Sequence, residues 1–475
     1  MRSKRPLRIF FTVLLAVSVL TVGYGAATSS NSGSFENHLD ESGAPDMSAQ
    51  IAPESDGITV IAADSNQWEG NPTEGHRATS ELVAFNPDGT TLYYNGTHDR
   101  YWDVDPVPET DTTVEYSFSH HFEDGDCPTE WDADSYGVDQ ETWDHYERVH
   151  GTEACTLNGV ERVNLTTGEV TTVWTQFTPG KEATRYHDVD RLDENRLVVA
   201  DIYLDRVFVV NTETDDIEWT WNATEVHETS SGGPYPKDWT HINDVEILDD
   251  GRIMVDMRNH DEVIFLNKEG AIENLTLGSD DNHDILYEQH NPDYIPETRG
   301  GPAVVVADSE NNRIVEYQRE NGEWTQTWLW QDARMQWPRD ADRLPNGNTL
   351  ITDSNADRVF EVDENGKIVW SVNIAFPYEA ERLGTGDESA GGQSASKLGL
   401  KSHSSSVTGK ALIGLKGLIP GKYLNGLMYI TPVWMGFVEI LGLLLGVLAC
   451  LAWVGTEVFW VVRDRRAERD HDSIT

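Results

Sequence analysis

The sequence predicts an all-β chain folded as a six-bladed β-propeller with N- and C-terminal membrane segments. Three observations predict it. A polar entry, an apolar strand ending in Asp, a further apolar strand and a Trp-bearing strand recur at a period of about 40–55 residues, the mark of radially repeated sheets. The two ends of the repeat are complementary: Ile58-Thr-Val-Ile-Ala-Ala-Asp64 is a second strand lacking a first, and Phe376-Pro-Tyr-Glu379-Ala-Glu-Arg-Leu383 matches Trp337-Pro-Arg-Asp340-Ala-Asp-Arg-Leu344. Long apolar runs stand near each terminus.

In chain order, residues 1–28 are a basic start followed by an apolar run. They read as a signal peptide, with Ala26-Ala27-Thr28 as a candidate cleavage site, or as an N-terminal anchor. Residues 29–56 are Ser-, Asn- and Asp-rich and read as a linker. The propeller is placed at 57–384. Its first strands begin at Arg100-Tyr-Trp102-Asp103, Arg185-Tyr-His187-Asp188, His241-Ile-Asn243-Asp244, His290-Asn-Pro-Asp293 and Trp337-Pro-Arg339-Asp340. The segment from Phe376 supplies the missing first strand of blade one and closes the ring, which removes exposed edges. Blade two carries an insertion from about Phe122 to Leu157 that contains Cys127 and Cys155. Two cysteines in one insertion of an exported domain predict a disulfide. Residues 385–425 read as a Gly/Ser linker and a Lys-dotted segment (Lys410, Lys416, Lys422) lying along lipid headgroups. Residues 426–462 read as a spanning helix, with Trp434, Trp453 and Trp460 at its flanks. The tail at 463–475 carries Arg463, Arg465 and Arg466, which puts it inside and the propeller on the external face of the cell membrane. Asn95, Asn164, Asn222 and Asn274 are glycosylation acceptors by pattern.

The chain has 475 residues and a formal net charge of -47, from 82 acidic and 35 basic residues. That excess is spread along the length. It predicts a surface hydrated by carboxylates in high salt and excludes nucleic acid as a partner. A metal or cationic partner would need a local acidic cluster, and the linear sequence has none. The recurring Asp/Glu before each first strand (Asp103, Asp188, Asp244, Asp293, Asp340, Glu379) reads as structural, pairing with backbone. So does the second-strand column Asp201, Asp256, Asp308 and Asp353. Nothing in the sequence sets the oligomeric state.

Residues just ahead of the first strands ring one mouth of the central channel. That places Trp102, His187, Asn243, Arg339 and Tyr378 in one row, with Arg100, Arg185, His241, His290 and Trp337 in the next. Three histidines at corresponding positions of three blades would suit a metal. With Arg258 they would equally suit an anionic ester, one imidazole attacking while guanidinium forks hold the developing charge. The remaining histidines (His120, His121, His145, His150, His283) read as solvated loop residues.

At these residues the chain resembles the arylsulfate sulfotransferases that use no nucleotide sulfate donor. Trp239-Thr-His241-Ile-Asn243 with Arg258 is similar to that family's Trp-x-His-x-Asn followed by Ser-x-Arg. Tyr186-His187-Asp188 is similar to its His-Asp segment, and Gln289-His290 to its Gln-His. The family's Phe-Asp-Asn strand end is Ala307-Asp308-Ser309 here. The resemblance implies His290 as the nucleophile, sulfated in passing. It implies His241 and His187 as proton-handling groups at the phenolic oxygens, Arg258 on the sulfuryl oxygens, and Asn243 as an orienting residue; Arg185 and Arg339 join the substrate-binding set. It implies a phenolic sulfate donor, a phenolic acceptor and no cofactor, and no metal is assigned. The rivals are a non-catalytic propeller binding a glycan or protein at the same mouth, and a metal-bound hydrolase using the three histidines. A quinone-dependent dehydrogenase lacks its docking tryptophans here.

Overall fold

The computed structural model describes residues 4–28, 35–41, 43–65, 78–123, 125–272, 274–404, 407–432 and 434–472. The chain divides into two compact units, one of residues 33–430 and one of 1–32 with 431–475.

The first unit is a ring of six sheets. Blade two runs Arg100–Pro106, Thr113–Glu123, Ala154–Asn164, Glu169–Pro179; blade three Tyr186–Asp193, Arg196–Asp201, Arg206–Asn211, Ile217–Asn222. Blade four starts with Ile242–Ile247, Ile253–Met257 and Glu262–Asn267, and its fourth position is two short pieces, Gly270–Ala271 and Leu277–Gly278. Blade five runs His290–Ile295, Ala303–Asp308, Arg313–Glu320, Glu323–Gln331; blade six Pro338–Arg343, Thr349–Asp353, Arg358–Val362, Ile368–Val372. Blade one takes its innermost strand, Pro377–Arg382, from the far end of the chain; Thr59 pairs with Arg382 and Ala62 with Glu379. The closure follows the complementarity of the two ends.

Strand alternation builds the ring. In blade three, Val198, Ala200, Val207 and Val209 pack toward Ile242, Val245 and Val255 of blade four. Their neighbours Leu197, Val199, Phe208 and Val210 pack toward Val160 and Trp174 of blade two. Successive side chains leave a strand on opposite faces, so each blade feeds two inter-blade cores. Buried pairs close the turns after the second strands: Asp201–Arg206 at 2.7 Å, Asp308–Arg313 at 2.5 Å, Asp353–Arg358 at 2.8 Å.

The first-strand carboxylates are structural in a way the sequence did not indicate. They reach across to the next blade rather than to turns. Asp188 accepts from Val245 N at 2.5 Å, Glu379 from Val104 N at 2.8 Å and Asp340 from Ala380 N at 3.2 Å.

Several segment readings change. Within residues 29–56, Phe35 is buried against Phe85 and Tyr94, and Ala52 joins the same core; residues 29–34 and 42 lie outside the described set. The stretch read as a Gly/Ser linker packs on the ring instead. Ser389 and Ser394 are fully buried, Ala395 N donates to Glu316 at 2.8 Å, and His403–Ser404 adds to blade five; residues 405–406 are not described. The Lys-dotted segment also turns to the propeller. Lys416 Nζ donates to Met335 O at 2.9 Å and Lys422 Nζ to Glu288 at 2.6 Å. Cys127 and Cys155 are bonded, with Cα atoms 5.8 Å apart. Their insertion forms a helix, Gln140–His150, whose Trp143 and Tyr146 pack on Tyr203 and Leu204. His121 is no loop residue: it lies buried in Thr113–Glu123, its Nδ1 3.0 Å from Thr156 Oγ1.

The second unit is a pair of apolar helices, Arg5–Thr28 and Phe437–Asp472. The first runs through the candidate cleavage site, and the second starts eleven residues later than the sequence reading of 426 placed it. Ser18 Oγ donates to Gly442 O at 2.7 Å and Arg8 Nη2 to Glu457 at 2.7 Å, so the helices run antiparallel. Both are long and apolar enough to cross a membrane.

Candidate functional site

The site is set by a backbone irregularity that recurs in all six blades. Each first strand slips register near its start. The slip leaves Trp102, His187, Asn243, Asn291, Arg339 and Tyr378 out of the ladder. A bulge re-aims the side chain it carries; here five of them turn to one mouth of the channel, while Asn291 donates to Glu379 at 3.0 Å. Three residues before the shared Asp/Glu, His241, Trp337 and Phe376 have φ of 48°, 57° and 50°. A left-handed conformation at a histidine and two aromatics is strain that the surrounding structure must hold.

Two of the three histidines flank Tyr378, and the third, His241, joins them through His187. His187 lies 5.1 Å from His241, ring centre to ring centre, and 5.8 Å from Tyr378; His290 is 6.1 Å from Tyr378. His187 stacks on Trp102 at 4.1 Å and its Nδ1 is 3.3 Å from the Tyr378 hydroxyl. Its Nε2 is buried without a hydrogen-bond partner among the described residues. His241 Nδ1 faces Asp238 Oδ1 at 2.6 Å.

His290 is the most constrained. It is fully buried, and its Nδ1 lies 2.8 Å from Ser309 Oγ. That hydroxyl has one proton, and the Pro338 carbonyl at 2.6 Å takes it. Ser309 therefore accepts from Nδ1–H, which leaves Nε2 as the lone-pair nitrogen. Nε2 faces Arg339 Nη1, which donates to it. Ser309 stands where the resembling family carries Asn. Reading the sequence alone overlooked it as a partner; the pairing of His290 with Ala307, two residues before it, is what sets it there.

Four arginines surround the imidazoles. Arg100 is paired with Asp64 at 2.9 Å, and Arg258 with Glu288 at 2.5 Å. Arg185 lies over Trp102 at 5.4 Å; Arg339 lies over Trp337 at 4.1 Å and Tyr378 at 4.9 Å. Neither Arg185 nor Arg339 has a carboxylate within ion-pair distance among the described residues, and the Nε of each is buried without a partner. Asn243 donates to Gln289 O at 3.3 Å, and its Oδ1 is likewise unpartnered. The mouth thus presents spare positive charge and spare polar atoms, the complement of an anion.

Burial sets the imidazoles' protonation. It holds His290 and His187 well below the usual histidine range, and the nearby arginines and imidazoles push the same way. His241 is also lowered by burial, with Asp238 pulling it back up. All three are neutral near pH 7.

A short helix, Gly421–Tyr429, lies against this mouth. Lys422 shares Glu288 with Arg258, Asn425 donates to Glu310 at 2.8 Å and accepts from Gln336, and Tyr429 packs on Phe376 and Trp337 at 5.4 and 6.2 Å. Of the sequence-predicted residues, His187, His241, His290, Asn243, Arg185, Arg258 and Arg339 all surround this mouth. Glu288, Asp64, Ser309 and the helix were not anticipated.

Residues 213–375 match the family model described as arylsulfotransferase (ASST). That span holds His241, Asn243, Arg258, His290 and Arg339, and stops short of His187, Arg185 and the closing strand. No curated protein matches the chain. Solved structures similar to it include a protein of unknown function from Bacteroides caccae, 10% identical over 69% of this chain and 99% of that one, with a TM-score of 0.41. The periplasmic gluconolactonase of Pseudomonas aeruginosa is 12% identical over 69% and 99%, TM-score 0.40. Virginiamycin B lyase of Staphylococcus aureus, crystallised inactive with quinupristin, is 8% identical over 68% and 85%, TM-score 0.36. Likeness this slight has no bearing on function.

Proposed function

We propose that the protein is a membrane-anchored arylsulfotransferase, its propeller outside the cell, moving a sulfuryl group from a phenolic sulfate ester to a phenolic acceptor through a sulfated His290. The observation that carries this reading is His290 itself: neutral, fixed as the Nδ1–H tautomer, with its lone pair beside an arginine that has no carboxylate.

His290 Nε2 attacks the ester sulfur, the S–O bond to the donor breaks, and the donor leaves as a phenolate. Arg339 releases the lone pair and turns its donors to the sulfuryl oxygens, joined by Arg258 and Arg185. The Nδ1–H···Ser309 hydrogen bond strengthens as the ring gains positive character. His241, neutral at rest, becomes an imidazolium supported by Asp238 only on taking the acceptor's proton, which it then passes to solvent, and His187 beside Tyr378 is the second proton-handling group. In the return half the acceptor phenol, pKa near 10, yields its proton to the same imidazole, its oxygen attacks sulfur, and the S–N bond breaks. Asn243 orients the aryl oxygen.

A second reading, a non-catalytic propeller, is favoured by one observation: the helix Gly421–Tyr429 lies against the mouth and would fit a surface that holds a peptide. One experiment separates them. The full chain in detergent is incubated with 4-nitrophenyl sulfate, with and without phenol, and quenched protein is weighed intact. Phenol-dependent nitrophenolate release and a sulfuryl adduct mapping to His290 are expected. A folded protein giving neither, against several phenols, sinks the transferase reading.

A further inference from the structure

The opposite mouth of the channel holds chemistry that sulfuryl transfer does not use. There the later carboxylates of the first strands converge with the segment after the closing strand, around a cavity of about 490 Å³ that Asp190, Glu246, Asp387 and Glu388 help to line. We propose that Asp293, Asp340, Asp342 and Glu388 form a site for a hard divalent cation of the calcium class, seated between blades five and six.

One oxygen from each of the four lies within 4.8 Å of the other three. Oxygens facing each other across a calcium ion stand about 4.6–5.2 Å apart, twice the usual Ca–O distance, so the group fits one coordination sphere. All four ligands are carboxylates, with no imidazole or thiolate in the group among the described residues, which selects a hard cation over zinc or copper.

The second observation is the state of the oxygens. Asp342 is 1% exposed, and neither of its carboxylate oxygens has a hydrogen-bond partner among the described residues. Asp293 gives Oδ2 to the Ser389 hydroxyl, and Asp340 gives Oδ2 to Ala380 N and Thr352; the remaining Oδ1 of each is buried and unpartnered. Asp293, Asp340 and Asp342 thus each keep at least one oxygen without a donor from outside the group, while Asp340 faces Asp342 and Asp293 faces Glu388 as carboxyl pairs. Nearby positive charge is shared rather than dedicated to the group: Arg343 pairs with Glu316 and acts at longer range on Asp293, and Arg382 pairs with Glu361 and acts on Asp342. Buried carboxylates this close do not all ionise without a counter-charge. The geometry leaves two remedies, shared protons or a cation. Glu388 lies on the wall of the open cavity, which provides an entry path.

Such an ion would tie blade five, blade six and the segment after the closing strand, and so latch the ring. The test uses the full chain in detergent, stripped with EGTA and titrated with calcium chloride by calorimetry, with thermal melts in parallel at one fixed salt. The expected result is stoichiometric uptake, a rise in melting temperature on adding calcium, and loss of both in Asp342→Asn. Without calcium, Asp342→Asn melts no lower than the parent, because it removes a like charge; with calcium it melts lower. Absence of uptake by the stripped parent overturns the proposal, leaving shared protons. So does uptake that survives in both Asp342→Asn and Asp293→Asn, which would put the ion at Asp103, Asp105 and Glu379 instead.

Discussion

The two mouths of one channel are built from the same six strands, and they carry opposite charge. At the entry end the bulged residues and those just ahead of them present imidazoles, aromatics and arginines, two of the arginines, Arg185 and Arg339, without carboxylate partners among the described residues. One to three residues further along the same strands the side chains are Asp and Glu, packed against one another. The repeated strand fixes only the backbone. Position along it decides whether a side chain meets a ring of cations or a ring of anions. The entry end is the electrostatic complement of a negatively charged group; the far end calls for shared protons or a cation.

The largest effect that would break this contrast is at His290. His290→Ala should lower turnover on the order of a thousand-fold or more and abolish the adduct on quenched protein. If turnover falls only slightly, the entry mouth is a binding surface and the chemical asymmetry is lost.

Ser309 sharpens the same end. It touches no substrate in the proposed mechanism and acts by positioning His290. Ser309→Ala should lower kcat by about ten- to a hundred-fold, the worth of one hydrogen bond to a charged ring, with KM little changed. Ser309→Thr keeps the hydroxyl and should recover most of the rate. Equal losses in both variants would indicate packing rather than tautomer control.

The two mouths should also respond to pH with opposite sign. Histidines held below their ordinary value bind fewer protons folded than unfolded, so their part of the stability is lost as pH falls below about 6.5. The far-end carboxylates are raised by burial, Asp190 to about 6, Asp188 and Asp340 to about 7 and Asp293 to about 8. They bind more protons folded than unfolded, so their part is lost as pH rises from about 4 to 8. Between pH 6.5 and 8 the entry-mouth histidines no longer titrate while the far-end carboxylates do, together with Asp205, Glu262 and Glu310, which burial raises to about 7. Melts in EGTA over that window should show a falling melting temperature, flattened by calcium. A flat EGTA curve would mean that the far end carries no strained charge.

The smallest effect concerns access. Asn425→Ala removes a fastening of the helix Gly421–Tyr429 and should raise kcat/KM for a bulky phenolic acceptor a few-fold. A decrease would make the helix part of the acceptor's binding surface.

Much of this was legible in the sequence because a propeller repeats. The aligned first strands placed His187, His241 and His290 in two adjacent rows at one mouth, and the match of Phe376–Leu383 to Trp337–Leu344 gave the closure. What escaped has a common cause. Ser309, the carboxylate group and the helix at the mouth depend on contacts around or across the ring, and no periodicity along the chain encodes those. The acidic residues looked dispersed because Asp293, Asp340 and Glu388 are far apart in the chain; only the ring gathers them. Polar, small-residue stretches such as the one around Ser389 and Ser394 imitate linkers, although their hydroxyls are buried and satisfied by Asp293 and Gly300.

The closing strand has a consequence for how the molecule comes to be active. Tyr378, which His187 and His290 flank, and Glu379, which caps Val104 N of blade two, both arrive with Pro377–Arg382. Synthesis delivers that strand after five blades have been completed and the first has waited with an open edge. A ribosome product cut short before residue 377 holds nearly every candidate catalytic side chain, yet has neither a sealed ring nor a finished mouth. Sealing the ring and finishing the mouth are therefore one event, brought about by the same strand.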